Sequence, residues 1–212
     1  MREGNEMNED SEVWEKDYSQ RGAIWSGSVH NLPVFPTGGR ILELGCGNGK
    51  SLTSICQRYS DVTAIDFSPC AVSMCKPITD AVQNGSVCVA DVRWLPFPPE
   101  VFDGVIASHV LSHMQFGDRV DAAFESVRMV KKAGILYFSG FSTDDFRSGK
   151  GSVIEKGTMR KGQGICTHYF TEEEVQVLFC TLTLQSIRTK RWSLRVRGVE
   201  YPRAEIQATF IK

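Results

Sequence analysis

The chain predicts a mostly parallel, doubly wound α/β sheet finished by an antiparallel hairpin, and three observations predict it. From Arg40 onward, short β-branched runs alternate with longer helix-like stretches, the pattern of strands joined by crossover helices. Helix starts with capping chemistry sit inside that alternation. The last two strand-like runs then follow one another without a helix, so they should pair antiparallel. With 212 residues, 42% of them hydrophobic, the chain is long enough to bury one real core.

In chain order, strands are expected at about 40–44 (RILEL), 61–65 (DVTAI), 86–90 (SVCVA), 102–107 (FDGVIA) and 134–139 (GILYFS). The closing pair is expected at about 182–189 and 204–211. Helices fit 50–59, 69–76, 118–131 and 171–180. Ser68 followed by Pro69 supplies a side-chain acceptor for free backbone N–H groups, then a residue whose fixed φ suits a first helical turn. Thr171 and Glu174 have the spacing of a capping box. Trp14 and Tyr18, four apart, share a helical face ahead of the first strand. Between the fifth strand and the helix at 171 lie about thirty residues with glycines at 149, 151, 157, 162 and 164, which read as a long loop that recognises a ligand.

Charge and cysteine usage narrow the class. There are 24 Lys plus Arg against 25 Asp plus Glu, which argues against a whole surface built to coat nucleic acid or an anionic membrane while leaving a local patch open. That average conceals an asymmetry: residues 1–146 hold 12 basic and 19 acidic side chains, residues 147–212 hold 12 and 6. No apolar run is long enough to span a bilayer, and the opening MREGNEMNED is acidic and polar, so a cytoplasmic protein without membrane association is expected. The seven cysteines (46, 56, 70, 75, 88, 166 and 180) form no CxxC pair and read as reduced structural thiols. His109 and His113 have helical spacing but no third ligand nearby, so no metal is expected.

In a doubly wound sheet, ligands bind beyond the carboxyl ends of the strands. After the first strand comes Glu43, Leu44, Gly45, Cys46, Gly47, Asn48, Gly49. Alternate glycines let the backbone bend sharply and approach a ligand closely. A dinucleotide fingerprint would need a further glycine at 50 or 52, where Lys50 and Leu52 stand, so a nicotinamide oxidoreductase is disfavoured. Glu43 at the loop's mouth would repel a pyrophosphate and attract a cationic amino group. The second strand ends in Asp66, about twenty residues on, where a carboxylate can accept both ribose hydroxyls. The third ends in Asp91 and Val92, which can accept from an adenine amino group and cover its ring; Asp91 also reads as a plain turn residue.

These stretches, with ADVRWLPFPPEVFDGVIASHVLSHM and KKAGILYFSGFS, resemble class I S-adenosylmethionine-dependent methyltransferases of the type 11 kind, in particular the group containing small-molecule and tRNA wobble-uridine enzymes. The resemblance covers about residues 40–142. It implies a Rossmann-like, seven-stranded sheet whose last strand is antiparallel, in a single domain spanning 1–212. Within it, 1–10 would be a polar arm, 11–38 a cofactor-covering segment, 39–140 the cofactor core, 141–170 a substrate-recognition insert and 171–212 the C-terminal helix and hairpin. It also implies S-adenosyl-L-methionine as cofactor, held by Glu43, Gly45, Cys46, Gly47, Asp66, Phe67, Asp91, Val92 and Ser108, with Tyr18 or Trp25 closing the pocket. The family's usual double glycine before the fifth strand is here Ala133 and Gly134, a change expected to be harmless.

A methyl on a cationic sulfur needs chiefly a well-aimed nucleophile, so a strong cofactor motif and a weak catalytic one are expected together. No Asn-Pro-Pro-Tyr-like or Pro-Cys motif follows the fourth strand, which weakens exocyclic-amine and covalent-cysteine chemistry. His109 is the best polar group expected on the acceptor side, histidine being the side chain that ordinarily takes up a proton near neutrality; Tyr18 and His168 are further candidates. Trp192, Leu194 and Val196 alternate with Ser193, Arg195 and Arg197, either a charged sheet edge or a recogniser of an anionic acceptor. The leading expectation is a methyltransferase acting on a small molecule. A tRNA methyltransferase is the alternative, a noncatalytic cofactor-binding partner subunit the third, and DNA is not expected.

Overall fold

The structure, a computed structural model, describes residues 9–22, 32–162 and 164–212. Trp25 lies outside the described residues. Helix α1 (Glu9–Arg21) leads into β1 (Ile41–Leu44), α2 (Lys50–Cys56), β2 (Asp61–Asp66), α3 (Pro69–Thr79), β3 (Asn84–Val89) and β4 (Phe102–Ser108). A single 3-10 turn at Val110–His113 precedes α4 (Phe116–Met129) and β5 (Val130–Phe141). Three short strands, β6 (Ser152–Glu155), β7 (Thr158–Arg160) and β8 (Cys166–His168), precede α5 (Glu172–Leu178), β9 (Thr183–Val196) and β10 (Val199–Ile211).

The main sheet has the order β3-β2-β1-β4-β5-β10-β9. The first five strands pair parallel, and β10 returns antiparallel between β5 and β9. The expected architecture is therefore present, and the chain reverses its direction across the sheet between β1 and β4. Strand β1 is buried along its whole length, as a central parallel strand covered on both faces must be. One core lies between the sheet and α4 and α5, where Phe138 packs edge-on to Phe170 and near Phe179, and Phe179 near Phe210. The other gathers Leu32, Phe35, Ile41, Leu52, Ile55 and Tyr137 on the opposite face.

Both capping signals are used. Ser68 accepts the Ala71 N–H at the start of α3, with Pro69 in the first turn, and Thr171 accepts the Glu174 N–H at the start of α5.

Two regions differ from the sequence reading. The stretch 141–170, read as a loop, holds the separate antiparallel sheet β6-β7-β8. Its strands are three or four residues long, and Gly157, at φ +77°, makes the reversal between β6 and β7. Strands that short give too little alternation to stand out among turn residues. The final hairpin is also longer than expected, because β9 continues through the Trp192–Val196 alternation.

The buried Arg119 ties the insert to the sheet domain by donating to the Met114 carbonyl (2.6 Å) and to Glu155 (2.9 Å). His168 belongs to the same knot, with Nδ1 at 2.7 Å from the Thr158 hydroxyl and Nε2 at 2.8 Å from Glu174.

Ala133 stands at φ +61°, where the pairing of β5 with β4 shifts register. A left-handed backbone costs an alanine roughly 1–2 kcal/mol that glycine avoids. Ala133→Gly should therefore stabilise the fold by about 1 kcal/mol, read as a higher urea midpoint with an unchanged slope. A lower midpoint would contradict the strain.

Candidate active site

The carboxyl ends of β1, β2 and β4 meet at the glycine loop. Gly45 and Gly47 both have positive φ (+65° and +53°). A Cβ on Gly45 would come within 2.7 Å of the Val110 side chain, so the loop and the turn after β4 touch only because that position is bare. The bend is held by the Cys46 N–H donating to the Ile65 carbonyl (2.9 Å) and the Gly47 N–H donating to Asp66 Oδ2 (2.8 Å). The Cys75 thiol donates to the Gly47 carbonyl from beneath, and none of the seven cysteines forms a disulfide.

Two acids converge on this bend. Glu43 is buried in β1; the Ser51 hydroxyl donates to its Oε1, and its Oε2 has no partner. Burial, reinforced by the nearby Asp66 charge against the help of Ser51, pushes its carboxyl up to about 8. Asp66 is also raised, chiefly by burial, although it accepts N–H groups from Gly47 and, at Oδ1, from Ser68 (3.0 Å). Each Asp66 oxygen keeps a second lone pair for a hydroxyl donor.

The other expected contacts are placed as follows. Asp91 accepts the Arg93 N–H (2.9 Å) and both Nε and Nη2 of its guanidinium, while Arg93 Nη1 reaches Asp118 (2.8 Å). Spacing by two residues fits this closed turn, so the residue had a readable partner that the sequence reading did not use. Val92 packs into the core beside Leu95, and Ser108 accepts from the Ser139 hydroxyl (3.2 Å). Helix α1 covers the end of β2: Trp14 and Tyr18 stack at 5.6 Å and are buried against Ala71, with Phe67, Cys70, Met74 and Ile165 packed around them. The Ser68 hydroxyl also donates to Glu15 of α1.

Beyond β4 lies the edge where His109 was expected to meet the acceptor. His109 adopts φ +58°, which turns the chain sharply at the sheet edge. Its Nε2 lies 3.3 Å from Glu205 Oε2, its ring packs on Phe141 at 4.5 Å, and its Nδ1 is buried without a partner. Glu205 also accepts from Gln207 (2.8 Å), and its carboxyl is lowered: hydrogen bonding and charge from His109, with Gln207 and Lys190, outweigh desolvation. Arg147 lies over the other side of the wall, 4.2 Å from the Phe141 centroid, with Tyr169 6.2 Å from that ring. His113 faces Trp14 edge-on at 5.0 Å, its Nδ1 3.0 Å from the Cys166 carbonyl, and burial pulls it down to about 4. It is neutral at physiological pH. His168, by contrast, has both ring nitrogens engaged in the Thr158–Glu174 knot. Glu205 was missed because it stands 96 positions from its partner, and nothing local marks it. Among the described residues no three His, Cys, Asp or Glu side chains converge as metal donors.

Residues 42–138 match the family model described as a methyltransferase domain. The chain carries a class I S-adenosylmethionine-dependent methyltransferase domain. It is 32% identical over 146 residues to the 2-methyl-6-phytyl-1,4-hydroquinone methyltransferase of Synechocystis, covering 68% of this chain and 44% of that protein. It is 29% identical over 163 residues to the tRNA N(3)-cytidine methyltransferase of Bos taurus, covering 70% and 43%. The chain thus spans less than half the length of these relatives. A Methanosarcina mazei protein solved as an S-adenosylmethionine-dependent methyltransferase shares the fold, with TM-score 0.69 and 22% identity over 87% of this chain and 99% of that one.

The cofactor of this domain is S-adenosylmethionine, and the donor set fits it. An unpartnered buried carboxyl oxygen on Glu43 suits an ammonium group, Asp66 suits a pair of hydroxyls, and neither favours a phosphate.

Two outcomes follow from the acids. Because the folded Glu43 binds a proton that the unfolded chain has already released above about pH 4.5, its contribution to stability falls as pH rises through about 8, while His113, pulled down to about 4, works the other way up to about pH 6.5. Melting curves of the cofactor-free protein should show the decline between about pH 6.5 and 8, and Glu43→Gln should flatten it there. Asp66→Ala should weaken S-adenosylmethionine binding by about 1–3 kcal/mol in calorimetry, since it removes hydroxyl acceptors and releases the Gly47 amide. Unchanged affinity would put the ribose elsewhere.

Proposed function

We propose that this chain methylates a small, planar acceptor through an acidic hydroxyl, phenolic or enolic in kind. The observation that carries the reading is the His109–Glu205 pair, 3.3 Å apart at the carboxyl edge of the sheet, beside Val110, which packs against Gly45 of the glycine loop. When bound, S-adenosylmethionine supplies a methyl group on a positively charged sulfur. Glu43 and Asp66 hold its ammonium and ribose ends, and α1 with Trp14 and Tyr18 keeps water from the cleft.

The Glu205 carboxylate takes the hydroxyl proton, and His109, whose Nε2–H faces Glu205 Oε2 at 3.3 Å, holds that carboxylate in place. Phe141 packs against the His109 ring at 4.5 Å and fixes its orientation at this edge. A base matters only when the nucleophile must lose a proton, so the pair favours a hydroxyl-bearing acceptor. The likeness to a hydroquinone methyltransferase supports the same class.

A tRNA acceptor is the second reading. The likeness to tRNA N(3)-cytidine methyltransferases and the basic residues of the last third favour it. A ring nitrogen with a free lone pair needs no base, however, and that reading leaves the His109–Glu205 pair without a task.

Labelled-methyl transfer to hydroquinones, catechols and β-dicarbonyl compounds, run beside transfer to total tRNA, separates the two. Turnover of a hydroxyl-bearing acceptor is expected. Glu205→Gln should lower kcat by about 10²–10⁴-fold while leaving cofactor affinity unchanged, and His109→Gln should reduce kcat less and shift its pH profile. Methyl incorporation into tRNA alone, with salt-sensitive binding, would replace the proposal with the second reading.

A further inference from the structure

The β9–β10 hairpin does not stop where the sheet does. Strand β10 pairs with β5 only as far as Glu205, opposite Phe141 at the carboxyl end of β5, yet β9 and β10 continue pairing to Val196 and Val199. Six further residue pairs make an arm roughly 20 Å long that rises from the ligand edge. Arg197 (φ +49°) and Gly198 (φ +82°) form the tight turn at its tip, a two-residue reversal suited to the twist of the strands. Its base is braced: Arg203 donates to Asp145 (2.7 Å), the Phe146 N–H to the Pro202 carbonyl (2.9 Å), and the Phe146 and Tyr201 rings lie 4.9 Å apart.

The two faces of the arm differ. Alternation puts Val196 with Val199, Leu194 with Tyr201, and Trp192 with Arg203 on the face that also carries Glu205. Trp192, Leu194, Val196 and Val199 are 37, 39, 44 and 53% exposed, most of all at the tip. Near the tip Arg195 and Arg197 flank them; lower down, Arg191 pairs with Asp144, Arg203 with Asp145, and Lys190 lies opposite Glu205. Lys190 and Arg203 each lie over the Trp192 ring, at 5.6 and 5.5 Å. Nucleic acid would account for the cations and the tryptophan but not for two bare valines at the tip. An apolar tip flanked by arginines whose stems can lie along apolar surface, with Trp and Tyr lower on the same face, matches the interfacial layer of an anionic bilayer.

We propose that this arm docks the protein on anionic lipid bilayers, inserting the Val196–Val199 tip with Leu194 and Trp192 and pairing Arg195 and Arg197 with lipid phosphates. Because the inserted face carries Glu205 at its foot, docking turns the His109–Glu205 edge toward the bilayer, where a lipid-soluble acceptor is held. That last consequence rests on the proposed hydroxyl chemistry; the docking itself does not.

The test is co-sedimentation of the full chain with vesicles of phosphatidylcholine alone and of phosphatidylcholine with about one third phosphatidylglycerol, with no turnover required. Binding at least tenfold tighter to the anionic vesicles, weakened by salt and accompanied by a blue shift of tryptophan emission, is expected. Val196→Ser/Val199→Ser should abolish the shift and lower binding at least fivefold, and Arg195→Glu/Arg197→Glu should lower it at least tenfold. Both variants should melt as the unaltered chain does, since none of these side chains is buried. Equal binding to both vesicle types, no binding, or binding indifferent to both substitutions overturns the proposal. So does salt-sensitive binding of tRNA that the arginine variant removes while vesicles stay unbound. Loss of turnover with vesicle binding intact would strike the hydroxyl chemistry alone.

Discussion

A carboxyl group buried under a glycine bend is the constraint on which the site depends. Glu43 occupies a strand with no exposed residue, and one of its oxygens has no hydrogen-bond partner. Leaving such a group unsatisfied costs about 1–3 kcal/mol, so the fold carries a local deficit that a cation can relieve. Burial answers part of the deficit by keeping the carboxyl protonated, with its ionisation pushed up to about 8. The bend above it has little freedom to collapse, because Ile65 and Asp66 hold two successive amides and Val110 presses against the bare Gly45. The result is a preformed cradle whose unpartnered oxygen, in the proposed binding mode, would be met by an ammonium group.

Topology brings the rest of the chemistry to that cradle. Crossover from β1 to the far side of the sheet and back to β4 places the loop and His109 side by side at the reversal of strand order. The antiparallel return of β10 then puts Glu205 against His109 from the other side. Had β10 entered parallel to β5, its Glu205 end would lie at the opposite edge of the sheet. The insert is held by the Arg119 and His168 network, so its strands frame the acceptor side from a fixed base instead of swinging freely.

Much of this was legible because it is local. Parallel strands buried on both faces are near-continuous apolar runs, and ILEL, DVTAI and FDGVIA showed themselves that way. Ser68-Pro69 and Thr171-Glu174 carried their helix starts within four residues. The glycine loop and Asp66 were visible because both sit at strand ends, where position alone implies proximity to a ligand. What escaped notice was nonlocal or short. Glu205 acquires meaning only through strand pairing, and the three-stranded insert offers three or four residues per strand among glycines that look like loop. The Trp192–Val196 alternation was seen, but its continuation of β9 into a free arm depends on where β5 stops. Ala133 shows the reverse case: the residue was noticed, and its left-handed backbone supplies the reason a glycine suits that place.

The cradle is the part of the account with the most direct consequence in solution. If Glu43 is protonated when free and ionised opposite an ammonium group, binding S-adenosylmethionine near pH 7 must expel its proton. Calorimetry of that binding in two buffers of different ionisation enthalpy measures the proton count. The account predicts release of close to one proton by the unaltered chain, and clearly less with weaker binding by Glu43→Gln; identical proton release and affinity in the two proteins would contradict it.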